Sequence, residues 1–499
     1  MPKIKIEKIL IANRGEIAVR IARTCQKLGI KTVAIYSDID KRSPHVQIAD
    51  EAYSVGAPKP SESYLNGLKI IEIAKRSGAD AIHPGYGFLS ENADFARSVE
   101  GENIIFIGPS TDAMKTMGEK TAARKLAKSL GIPIVPGSMD AVKDEKDGVE
   151  VAKAVGYPIL LKAAGGGGGK GMRIVNSQKD FRENFRLAQS EAASAFGDNR
   201  IYIEKYLQNP RHVEIQILAD SHGNVLHLGE RECSIQRRHQ KIVEESPSTI
   251  VDERLRSHLA QASLELIKAS GYTNAGTLEF ILDEDMNYYF LEMNTRLQVE
   301  HPVTELRTGL DLVAEQLSIA SGEKLHYKQK DITFQGHAIE CRIYAEDTLN
   351  RFMPSTGEIV HLFSPLISGL REDSGIEAGS TVTTFYDPLL SKLIVWGETR
   401  VEAIQRMTDT LQQYELFGVR NNIDLCLWII GHEKFRKGLY STTFLETDLD
   451  INYFSNVPAE LIEISAITAV YSTALENTII QKGGLQPLEG WVSQRAEFM

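Results

Sequence analysis

A β-hairpin followed by a polar loop, residues 276–304, is the sequence feature that most constrains the fold. Two runs rich in β-branched and aromatic residues, TLEFIL and YYFLEMN, flank the turn-like DEDMN, which is the pattern of two antiparallel strands. Because strand side chains alternate between two faces, a short turn would set Glu279 opposite Glu292, with Asn294 two residues further along the same face. The pattern therefore predicts two carboxylates and an amide side by side on one sheet.

The two carboxylates of this hairpin would repel each other in a half-buried sheet, so one would take up a proton unless a cation lay between them. A hard divalent cation resolves the conflict, since Mg²⁺ binds one or two carboxylates together with phosphate oxygens of a substrate. The alternative interpretation is an exposed acidic hairpin without a ligand. The loop after the hairpin holds more polar groups than a structural turn needs: Arg296, Gln298, Glu300 and His301.

The composition predicts a globular protein of the reducing cytoplasm. The 499 residues suffice for about two to four domains, and 42% hydrophobic with 25% charged residues is ordinary for this class. A net charge of −11 gives no indication of nucleic acid or an anionic membrane as a partner. The four cysteines are far apart without a CxxC pair, which argues against a zinc site or a disulfide framework. We find no apolar run long enough for a signal peptide or a membrane span.

The first 110 or so residues alternate between predicted strands and helices. Strands are predicted at 9–12, 31–36, 79–82 and 104–107, and helices at 17–28, about 64–77 and 91–99. Alternation of this kind predicts a parallel α/β sheet. The loop Gly85–Gly87 follows the third of these strands, where ligands of such sheets bind. Taken alone, this region also fits a generic Rossmann-like domain that binds some nucleotide.

Five consecutive glycines, residues 165–169, separate the apolar run that ends at Lys162 from the run that starts at Met172. Ordering glycines costs conformational entropy, and the benefit we expect is a backbone whose N–H groups can close over an anion. A Walker A motif is excluded because no Lys-Ser/Thr pair follows the glycines. A lysine at the end of a buried strand is costly without a partner such as phosphate. The segment predicts phosphate binding, and a flexible linker is the alternative.

Several other charged residues have an ordinary structural explanation beside a functional one. Lys120 begins a predicted helix with an apolar face, where a lysine usually contacts only solvent. His212 lies in a predicted strand, 211–216, where a histidine commonly makes a structural hydrogen bond. Residues 229–247 are dense in charge and, judged alone, would form a surface ribbon.

Six motifs occur in the same order as in a known family: IANRGEIAVRIART, HPGYGFLSEN, GERECSIQRRHQKIVEESP, EMNTRLQVEHPVTE, FMPSTGEI and FYDPLLSKLIVWG. Over residues 5–447 the chain resembles the biotin carboxylases, a branch of the ATP-grasp ligases. The resemblance implies an α/β and α+β architecture, namely an ATP-grasp fold with an N-terminal Rossmann-like (pre-ATP-grasp) domain, a mobile glycine-rich lid and a C-terminal biotin carboxylase domain. The expected domains are 1–115, 116–330 with the lid at about 135–204, and 331–447, followed by a C-terminal extension, 448–499, which could form a subunit contact.

By this resemblance, ATP and Mg²⁺ (or Mn²⁺) bind to the ATP-grasp domain. Glu279, Glu292 and Asn294 would hold the metal. Glu204, with the backbone of Lys205 and Leu207, would recognise adenine. The full set of expected ATP contacts is Lys120, Lys162, Gly168, Gly169, Met172, Glu204, Lys205, Tyr206, Leu207, His212, Gln236, His239, Ile281 and Glu292.

The resemblance also implies a bicarbonate site and a biotin site. Glu300 would remove the proton of bicarbonate, a poor nucleophile, while Arg296 binds the planar anion with two parallel N–H groups. Arg342 would stabilise negative charge on the ureido oxygen of biotin. From spacing alone, a salt bridge from Arg342 to Glu340 or Glu346 is the simpler interpretation. The expected bicarbonate contacts are Lys241, Arg296, Gln298, the Val299 backbone and Glu300, and the expected catalytic residues are Lys241, Arg296, Glu300 and Arg342.

The expected activity is the first half-reaction of an acetyl- or propionyl-CoA carboxylase, in which MgATP and bicarbonate carboxylate N1 of biotin through carboxyphosphate. The alternative is the same half-reaction in a two-subunit pyruvate carboxylase. Another ATP-grasp ligase, of carbamoyl-phosphate or purine-pathway type, is disfavoured by the 296–300 loop together with Arg342. An inactive ATP-binding scaffold is disfavoured because Lys241, Glu300 and Arg342 are all present.

The partners are predicted from what the sequence lacks. It contains no MKM-type biotinyl-lysine motif, so we expect the biotin carboxyl carrier protein and the carboxyltransferase on other chains. The family also implies a homodimer within the larger complex. Residues 448–499, with a predicted helix at 460–475, lie outside the resemblance and are faintly similar to the tails of free-standing carboxylase subunits of archaeal type.

Overall fold

The computed structural model describes residues 4–163, 171–238 and 240–455. Residues 1–449 form one compact unit. Of the remaining unit, the described residues form a single 3₁₀ turn, Ile451–Ser455. Gly168, Gly169, His239 and the helix expected at 460–475 lie outside the described residues. Among the helices that the structure describes, none combines the length and the apolarity needed to cross a lipid bilayer.

A parallel sheet with flanking helices forms the first part of the chain, as predicted. Its strands are β1 (Lys8–Ile11), β2 (Lys31–Ser37), β3 (Glu51–Gly56), β4 (Ala81–His83) and β5 (Ile105–Phe106), in the order β3-β2-β1-β4-β5. Its helices are α1 (Gly15–Lys27), α2 (Pro44–Ile48), α3 (Gly67–Ser77), α4 (Ala93–Gly101) and α5 (Thr111–Gly118). Side chains cap three of them, since Asn66, Asn92 and Ser110 each accept a backbone N–H of the first turn. The edge strand β3 was not predicted because its sequence, EAYSVG, lacks an apolar run.

The middle of the chain contributes a small sheet and most of a large one. The helices are α6 (Lys120–Ser129), α7 (Glu145–Val155), α8 (Gln178–Phe196), α9 (Glu253–Ser270), α10 (His301–Thr308) and α11 (Leu312–Ala320). The small antiparallel sheet contains β6 (Ile159–Ala163), β7 (Met172–Val175) and β8 (Ile201–Lys205). The large sheet begins with β9 (Arg211–Ala219), β10 (Val225–Arg237), β11 (Gln240–Ser246), β12 (Asn274–Leu282) and β13 (Tyr288–Asn294).

The last part of the chain extends this large sheet. The strands are β14 (His337–Tyr344), β15 (Glu346–Asp347), β16 (Met353–Pro354), β17 (Gly357–Glu358), β18 (His361–Phe363), β19 (Leu370–Ser374), β20 (Thr381–Val382), β21 (Leu389–Gly397) and β22 (Glu415–Phe417). The helices are α12 (Arg400–Gln413), α13 (Ile423–Gly431), α14 (Glu433–Arg436) and α15 (Phe444–Asp448). The eight-stranded sheet has the order β13-β12-β9-β10-β11-β14-β21-β19, so one sheet joins the middle and the last parts of the chain.

The hairpin has the predicted register. Glu279 pairs with Glu292, and Asn294 pairs with Thr277. Glu279 is 6% exposed and Asn294 is 8% exposed, so the alternative of an exposed acidic hairpin is wrong. The side chains are buried because Gln298 of the loop after β13 contacts Glu279 and helices α5 and α6 pack against β13.

The large sheet has one apolar face and one polar face, and both are buried. In β9, Val213, Ile215 and Ile217 pack in the same core as Leu259 and Leu266 of helix α9. The alternate residues His212, Glu214 and Gln216 point to the other face and are buried as well. Strands β10 and β11 are interior strands of this sheet, so the interpretation of residues 229–247 as a surface ribbon is wrong.

Glu245 joins β11 to the last part of the chain. Its carboxylate oxygens lie 2.6 Å from His337 Nε2 and 2.7 Å from Arg400 Nε, and it also accepts a hydrogen bond from the Tyr440 hydroxyl. Burial alone would raise the pKa of Glu245, but His337 and Arg400 outweigh it and lower the pKa to about 2. The folded state therefore favours ionised Glu245.

We expect Glu245→Gln to destabilise the protein at neutral pH and to make less difference in acid. A carboxyl pKa lowered from 4.5 to about 2 contributes roughly 3 kcal/mol above pH 4.5, and this contribution is lost as the pH falls from 4.5 towards 2. Urea unfolding of both proteins at pH 7 and pH 4 measures the effect, with the exposed Glu433→Gln as control. The prediction would be contradicted if the difference in free energy of unfolding between wild type and Glu245→Gln were larger at pH 4 than at pH 7.

Candidate active site

A buried guanidinium lies at the centre of the polar face. Arg231, on β10, has no exposed surface. It donates hydrogen bonds to five side chains: Glu214, Gln216, Thr277, Gln298 and Thr304. A buried charge is tolerated only when its partners are complete, and these partners come from β9, β12, the loop after β13 and α10. Arg231 thereby holds these four segments together beneath the site.

The ammonium group of Lys241, on β11, lies among three carboxylates. Its Nζ atom is 2.7 Å from Glu214 Oε2, 3.1 Å from Glu279 Oε1 and 2.5 Å from Glu300 Oε1. With a neighbouring histidine or cysteine, these acids form two clusters whose ligating atoms lie within 4.8 Å of one another, as metal ligands would. Lys241 contacts carboxylates of both clusters and supplies the positive charge that a metal would otherwise bring.

Glu300 is an ionised carboxylate in the protein interior. It is 2% exposed, with one oxygen on Lys241 and the other 2.9 Å from Arg342 Nη2. Burial alone would raise the pKa of Glu300, but Lys241 and Arg342 hold it well below its usual range. A buried carboxylate that is kept charged in this way has the chemical form of a general base.

Arg342 is shared between two acids. Its Nη2 atom lies 2.9 Å from Glu300 Oε2 and 2.5 Å from Glu244 Oε1. The salt bridge expected from spacing alone is wrong, because Glu346 pairs instead with Arg237 at 2.7 Å. The actual partners come from the neighbouring strand β11 and from the loop before α10, which spacing within β14 does not reveal.

The hairpin acids are each neutralised by nearby cations. Glu279 Oε2 lies 3.1 Å from His212 Nε2, and Glu279 Oε1 accepts hydrogen bonds from the Asn294 and Gln298 amides at 2.8 and 2.7 Å. Burial alone would raise the pKa of Glu279, but Lys241 and His212 lower it far below its usual value. His212 therefore makes the structural contact that is common for a strand histidine, and this ion pair also places it beside the predicted metal residues, while its contact with the nucleotide stays a prediction.

The predicted metal residues fit a hard divalent cation. Glu292, directly opposite Glu279, pairs with Lys120 at 2.6 Å. Asn294 adds an amide oxygen on the same face, so the donor set consists of oxygens alone, as Mg²⁺ and Mn²⁺ prefer. Lysine ammonium groups on both carboxylates show that this pair of acids requires positive charge. A cavity of about 390 Å³ lies directly beside Glu292 and Asn294.

The loop after β13 holds Arg296 in a defined position. Arg296 Nε is 3.0 Å from Glu91 Oε2, and Arg296 Nη2 is 2.8 Å from Asn294 Oδ1. The Val299 carbonyl accepts a hydrogen bond from Lys392 Nζ at 2.7 Å. Of the five predicted bicarbonate residues, Lys241, Gln298 and Glu300 meet around Glu279, Val299 is the chain neighbour of Glu300, and Arg296 reaches this group only through Asn294.

A second group of predicted residues lies on the small sheet. Lys162 forms an ion pair with Glu204, which also pairs with Arg124. Met172 is the cross-strand neighbour of Lys162. Arg124 follows Lys120 by one helical turn on α6, so this helix contacts the small sheet with one residue and the hairpin with the other. The two groups of predicted residues therefore flank one helix face.

The remaining predicted nucleotide residues occupy strand ends and the polar face. The Lys205 N–H donates to Pro136 O at 2.7 Å and its side chain binds the Gly156 carbonyl at 2.9 Å, so neither donor is free for adenine. Tyr206 and Leu207 follow directly after the end of β8. Gln236 is the cross-strand partner of Lys241, and Ile281 is that of His212.

Three family profiles match consecutive parts of the chain. They are the biotin carboxylase N-terminal domain at residues 5–114, the carbamoyl-phosphate synthase L chain ATP-binding domain at 119–328, and the biotin carboxylase C-terminal domain at 340–447. The chain is also 51% identical over 443 residues to "Biotin carboxylase 1" of Bacillus subtilis (strain 168), covering 89% of this chain and 98% of that protein. The chain belongs to the biotin carboxylase family.

Solved structures of biotin carboxylases share this fold. The biotin carboxylase domain of Hydrogenobacter thermophilus 2-oxoglutarate carboxylase, crystallised as a dimer with MgADP, ADP and bicarbonate, has a TM-score of 0.85 at 47% identity, with coverage of 88% of this chain and 97% of that one. A Campylobacter jejuni biotin carboxylase has a TM-score of 0.85 at 44% identity, with coverage of 89% and 99%. The architecture is therefore the ATP-grasp fold with the flanking biotin carboxylase domains, as the sequence predicts.

Longer relatives contain the same region. The human mitochondrial propionyl-CoA carboxylase alpha chain is 52% identical over 441 residues. These are 88% of this chain, but the chain spans only 61% of that protein's length.

Several residues that complete this biotin carboxylase site are not apparent from the sequence alone. Arg231 and Glu214 form its floor, Glu244 shares Arg342, and Glu91 and Arg124 orient predicted residues. The alternation of His212, Glu214 and Gln216 in one strand was a usable signal, because it indicates a polar face. Nothing in the neighbouring sequence identifies the partners of Arg231, since they lie 15 to 73 residues away.

We expect Arg231→Lys to lower both stability and catalysis of this biotin carboxylase. A lysine keeps the charge but cannot direct N–H groups at five acceptors, and a loss on the order of 3 kcal/mol follows from the buried acceptors left unpaired. Thermal unfolding and bicarbonate-dependent ATP turnover measure the two effects. Arg200→Lys, which alters an exposed pair with Asp198, is the matched control. Equal behaviour of the two variants would contradict the assigned role of Arg231.

Proposed function

We propose that this chain catalyses the MgATP- and bicarbonate-dependent carboxylation of N1 of biotin on a carrier protein, through carboxyphosphate. The observation that carries the proposal is the position of Glu300, an ionised and buried carboxylate between Lys241 and Arg342. Family membership supports the same conclusion. The relatives include a biotin carboxylase domain whose structure contains MgADP and bicarbonate.

In the first step, a bicarbonate oxygen attacks the γ-phosphorus of ATP, and ADP leaves. Glu300 accepts the proton of bicarbonate as the new P–O bond of carboxyphosphate forms and the bond to ADP breaks. Arg296 binds the planar anion through its guanidinium fork, and Lys241 adds a point charge. Metal ions held by Glu279, Glu292 and Asn294 would neutralise charge on the phosphate oxygens.

The contacts of Glu300 explain how a carboxylate of lowered pKa can act as a base. In the free protein Lys241 Nζ lies 2.5 Å from Glu300 Oε1. An incoming bicarbonate competes for the same ammonium group, which weakens its hold on the carboxylate. The pKa of Glu300 would then be less strongly lowered, because the charged form loses the Lys241 contact while Arg342 and Arg231 remain. Substrate binding thus activates the base.

In the second step, carboxyphosphate breaks down into CO₂ and phosphate. The phosphate removes the proton from N1 of biotin, and N1 attacks the carbon of CO₂. Negative charge develops on the ureido oxygen, and Arg342 is the fixed cation that would stabilise it. Arg342 retains Glu244 as an ion-pair partner when it leaves Glu300, so its position does not depend on the base alone.

Nucleotide binding is assigned to the groups around helix α6. Lys120 and Lys162 would contact the phosphates, with the backbone of Gly168 and Gly169 closing over them. Glu204 and the backbone at Lys205 and Leu207 would contact adenine. Because the Lys205 N–H is already bonded to Pro136, the carbonyl of Lys205 is the backbone group we assign to the adenine amino group.

The partners and the domain division are part of the proposal. We assign residues 1–115, 116–330 and 331–447 to three domains, which the family matches at 5–114, 119–328 and 340–447 support. The carrier protein and the carboxyltransferase would complete an acyl-CoA carboxylase, and the identity to a propionyl-CoA carboxylase alpha chain supports this acceptor class. A pyruvate carboxylase is the second candidate, because the biotin carboxylase subunit of such an enzyme is 48% identical with a TM-score of 0.78.

We expect ATP hydrolysis that requires bicarbonate and Mg²⁺ and that free biotin stimulates. Bicarbonate is the phosphoryl acceptor, so its removal from degassed buffer abolishes phosphate release. Chelation with EDTA does the same, and Mn²⁺ restores activity. Turnover without bicarbonate, or with ammonia or an amino acid in its place, would reject the proposal.

We expect Glu300→Gln and Arg342→Ala to affect different partial reactions. Loss of the base should lower bicarbonate-dependent ATP turnover by roughly 10²- to 10⁴-fold. Loss of the cation should lower biotin carboxylation about 10²-fold or more while leaving most of the biotin-independent ATP turnover. Phosphate release and [¹⁴C]carboxybiotin formation separate the two, with Glu284→Gln in the exposed hairpin turn as control. Identical profiles for both variants would contradict this division of roles.

A further inference from the structure

Two successive carbonyl groups of the loop before α10 each accept a hydrogen bond from a buried side chain. Gln298 O accepts a hydrogen bond from His301 Nδ1 at 2.8 Å. Val299 O accepts one from Lys392 Nζ at 2.7 Å. Neither the Val299 N–H nor the Glu300 N–H donates to any other residue that the structure describes. Among the described residues, the Gln298 and Val299 carbonyls are thus bonded, while the Val299 and Glu300 N–H groups are free.

Because the peptide bond is planar, the hydrogen bonds to these two carbonyls also fix the direction in which the following N–H groups point. In a trans peptide the C=O and the following N–H point in opposite directions. Fixing the Gln298 carbonyl therefore directs the Val299 N–H away from His301. Fixing the Val299 carbonyl directs the Glu300 N–H away from Lys392. Val299 and Glu300 lie in a turn, a conformation in which successive N–H groups can make an anion-binding concavity.

Lys392 reaches this loop from another part of the chain. It lies on β21, directly opposite Arg342 in β14, so both side chains point to the same face of the sheet. Arg342 contacts the side chain of Glu300, and Lys392 contacts the peptide bond that joins Val299 to Glu300. Two neighbouring cations of one sheet therefore hold the same glutamate by its carboxylate and by its main chain.

Lys392 is itself held in place by acids. It is fully buried, and its Nζ atom lies 3.3 Å from Glu16 Oε1 and 3.7 Å from Asp373 Oδ2. The Tyr86 hydroxyl donates a hydrogen bond to the same Glu16 oxygen. A buried ammonium group is costly unless it is fully partnered. The partners of Lys392 are two acids and one backbone group at the active site, the Val299 carbonyl. Contacts thus extend from Glu16 on helix α1 through Lys392 to the Val299 carbonyl of the loop, and we call Lys392 the anchor of this loop.

We propose that Lys392 is a positioning residue of the bicarbonate site, which fixes the Val299–Glu300 peptide so that the loop N–H groups and the Glu300 carboxylate keep their orientation. This inference rests on the proposed function for the identity of the anion. Lys392 does not touch substrate. It acts through the main chain of Glu300 and belongs to none of the groups selected from the sequence.

The test uses Lys392→Met, which removes the ammonium group at similar volume, and Lys392→Arg, which keeps the charge but cannot place a nitrogen at the same point. Both should raise the KM for bicarbonate at least 10-fold while changing the KM for ATP less than 2-fold. Lys69→Met is the matched control, because Lys69 Nζ also binds a backbone carbonyl, Val55 O at 2.9 Å, away from the site. An equal rise in both KM values would show a merely structural role and overturn the proposal.

A second measurement does not depend on activity. Amide hydrogen exchange of peptides that cover residues 295–304 should be at least 10-fold faster in Lys392→Met and unchanged in Lys69→Met. If the wild type lacks bicarbonate-dependent turnover, the proposed function fails, whereas the exchange result still decides whether Lys392 anchors the loop. Unchanged amide hydrogen exchange of residues 295–304 in Lys392→Met would overturn the proposal that Lys392 holds this loop.

Loss of the ammonium group leaves Glu16 without its ion-pair partner, whereas Asp373 keeps Arg371, so the fold is destabilised at Glu16 independently of the loop. The double variant Lys392→Met with Glu16→Gln removes one charge of each sign and is expected to recover thermal stability. It should keep the 10-fold rise in the KM for bicarbonate, because the bond to Val299 is still absent. Recovery of the wild-type KM along with stability would overturn the proposal.

Discussion

A carboxylate that stays ionised in a protein interior needs cations beside it, and this requirement organises the site. Burial disfavours the charge of Glu300, and Lys241 and Arg342 restore it. Each of these cations needs further acids, Glu214 and Glu279 for Lys241 and Glu244 for Arg342. The polar face of the large sheet is therefore one connected set of opposite charges, in which each group is tolerated because of its neighbours.

This dependence explains why one sheet runs through two parts of the chain. The acids and Lys241 lie on β9 to β13, whereas Arg342 and Lys392 lie on β14 and β21. The catalytic carboxylate sits where the two sets of strands meet. An enzyme that brings together nucleotide, bicarbonate and biotin needs such a junction, because no single hairpin offers enough cations for three polar substrates.

Much of the site was predictable because strand geometry is local. The register of Glu279 and Glu292 follows from a short turn and from alternation of side chains, and both are properties of one hairpin, Asn274–Asn294. The partners of Arg342 were not predictable, since spacing within β14 suggested Glu340 or Glu346 and the real partners lie in other elements. Arg231 was missed for the same reason, because its acceptors come from four separate segments.

The sequence by itself determined four of the five strands of the first part, their parallel sheet, the hairpin register and the set of residue types that ATP, metal and bicarbonate chemistry needs. These properties depend on the period of apolar residues and on short-range geometry. The tertiary structure alone decided which charges meet. Ion pairs between distant segments depend on how sheets and helices pack, so only the folded chain shows that Glu300 is held by Lys241, Arg342 and, through its main chain, Lys392.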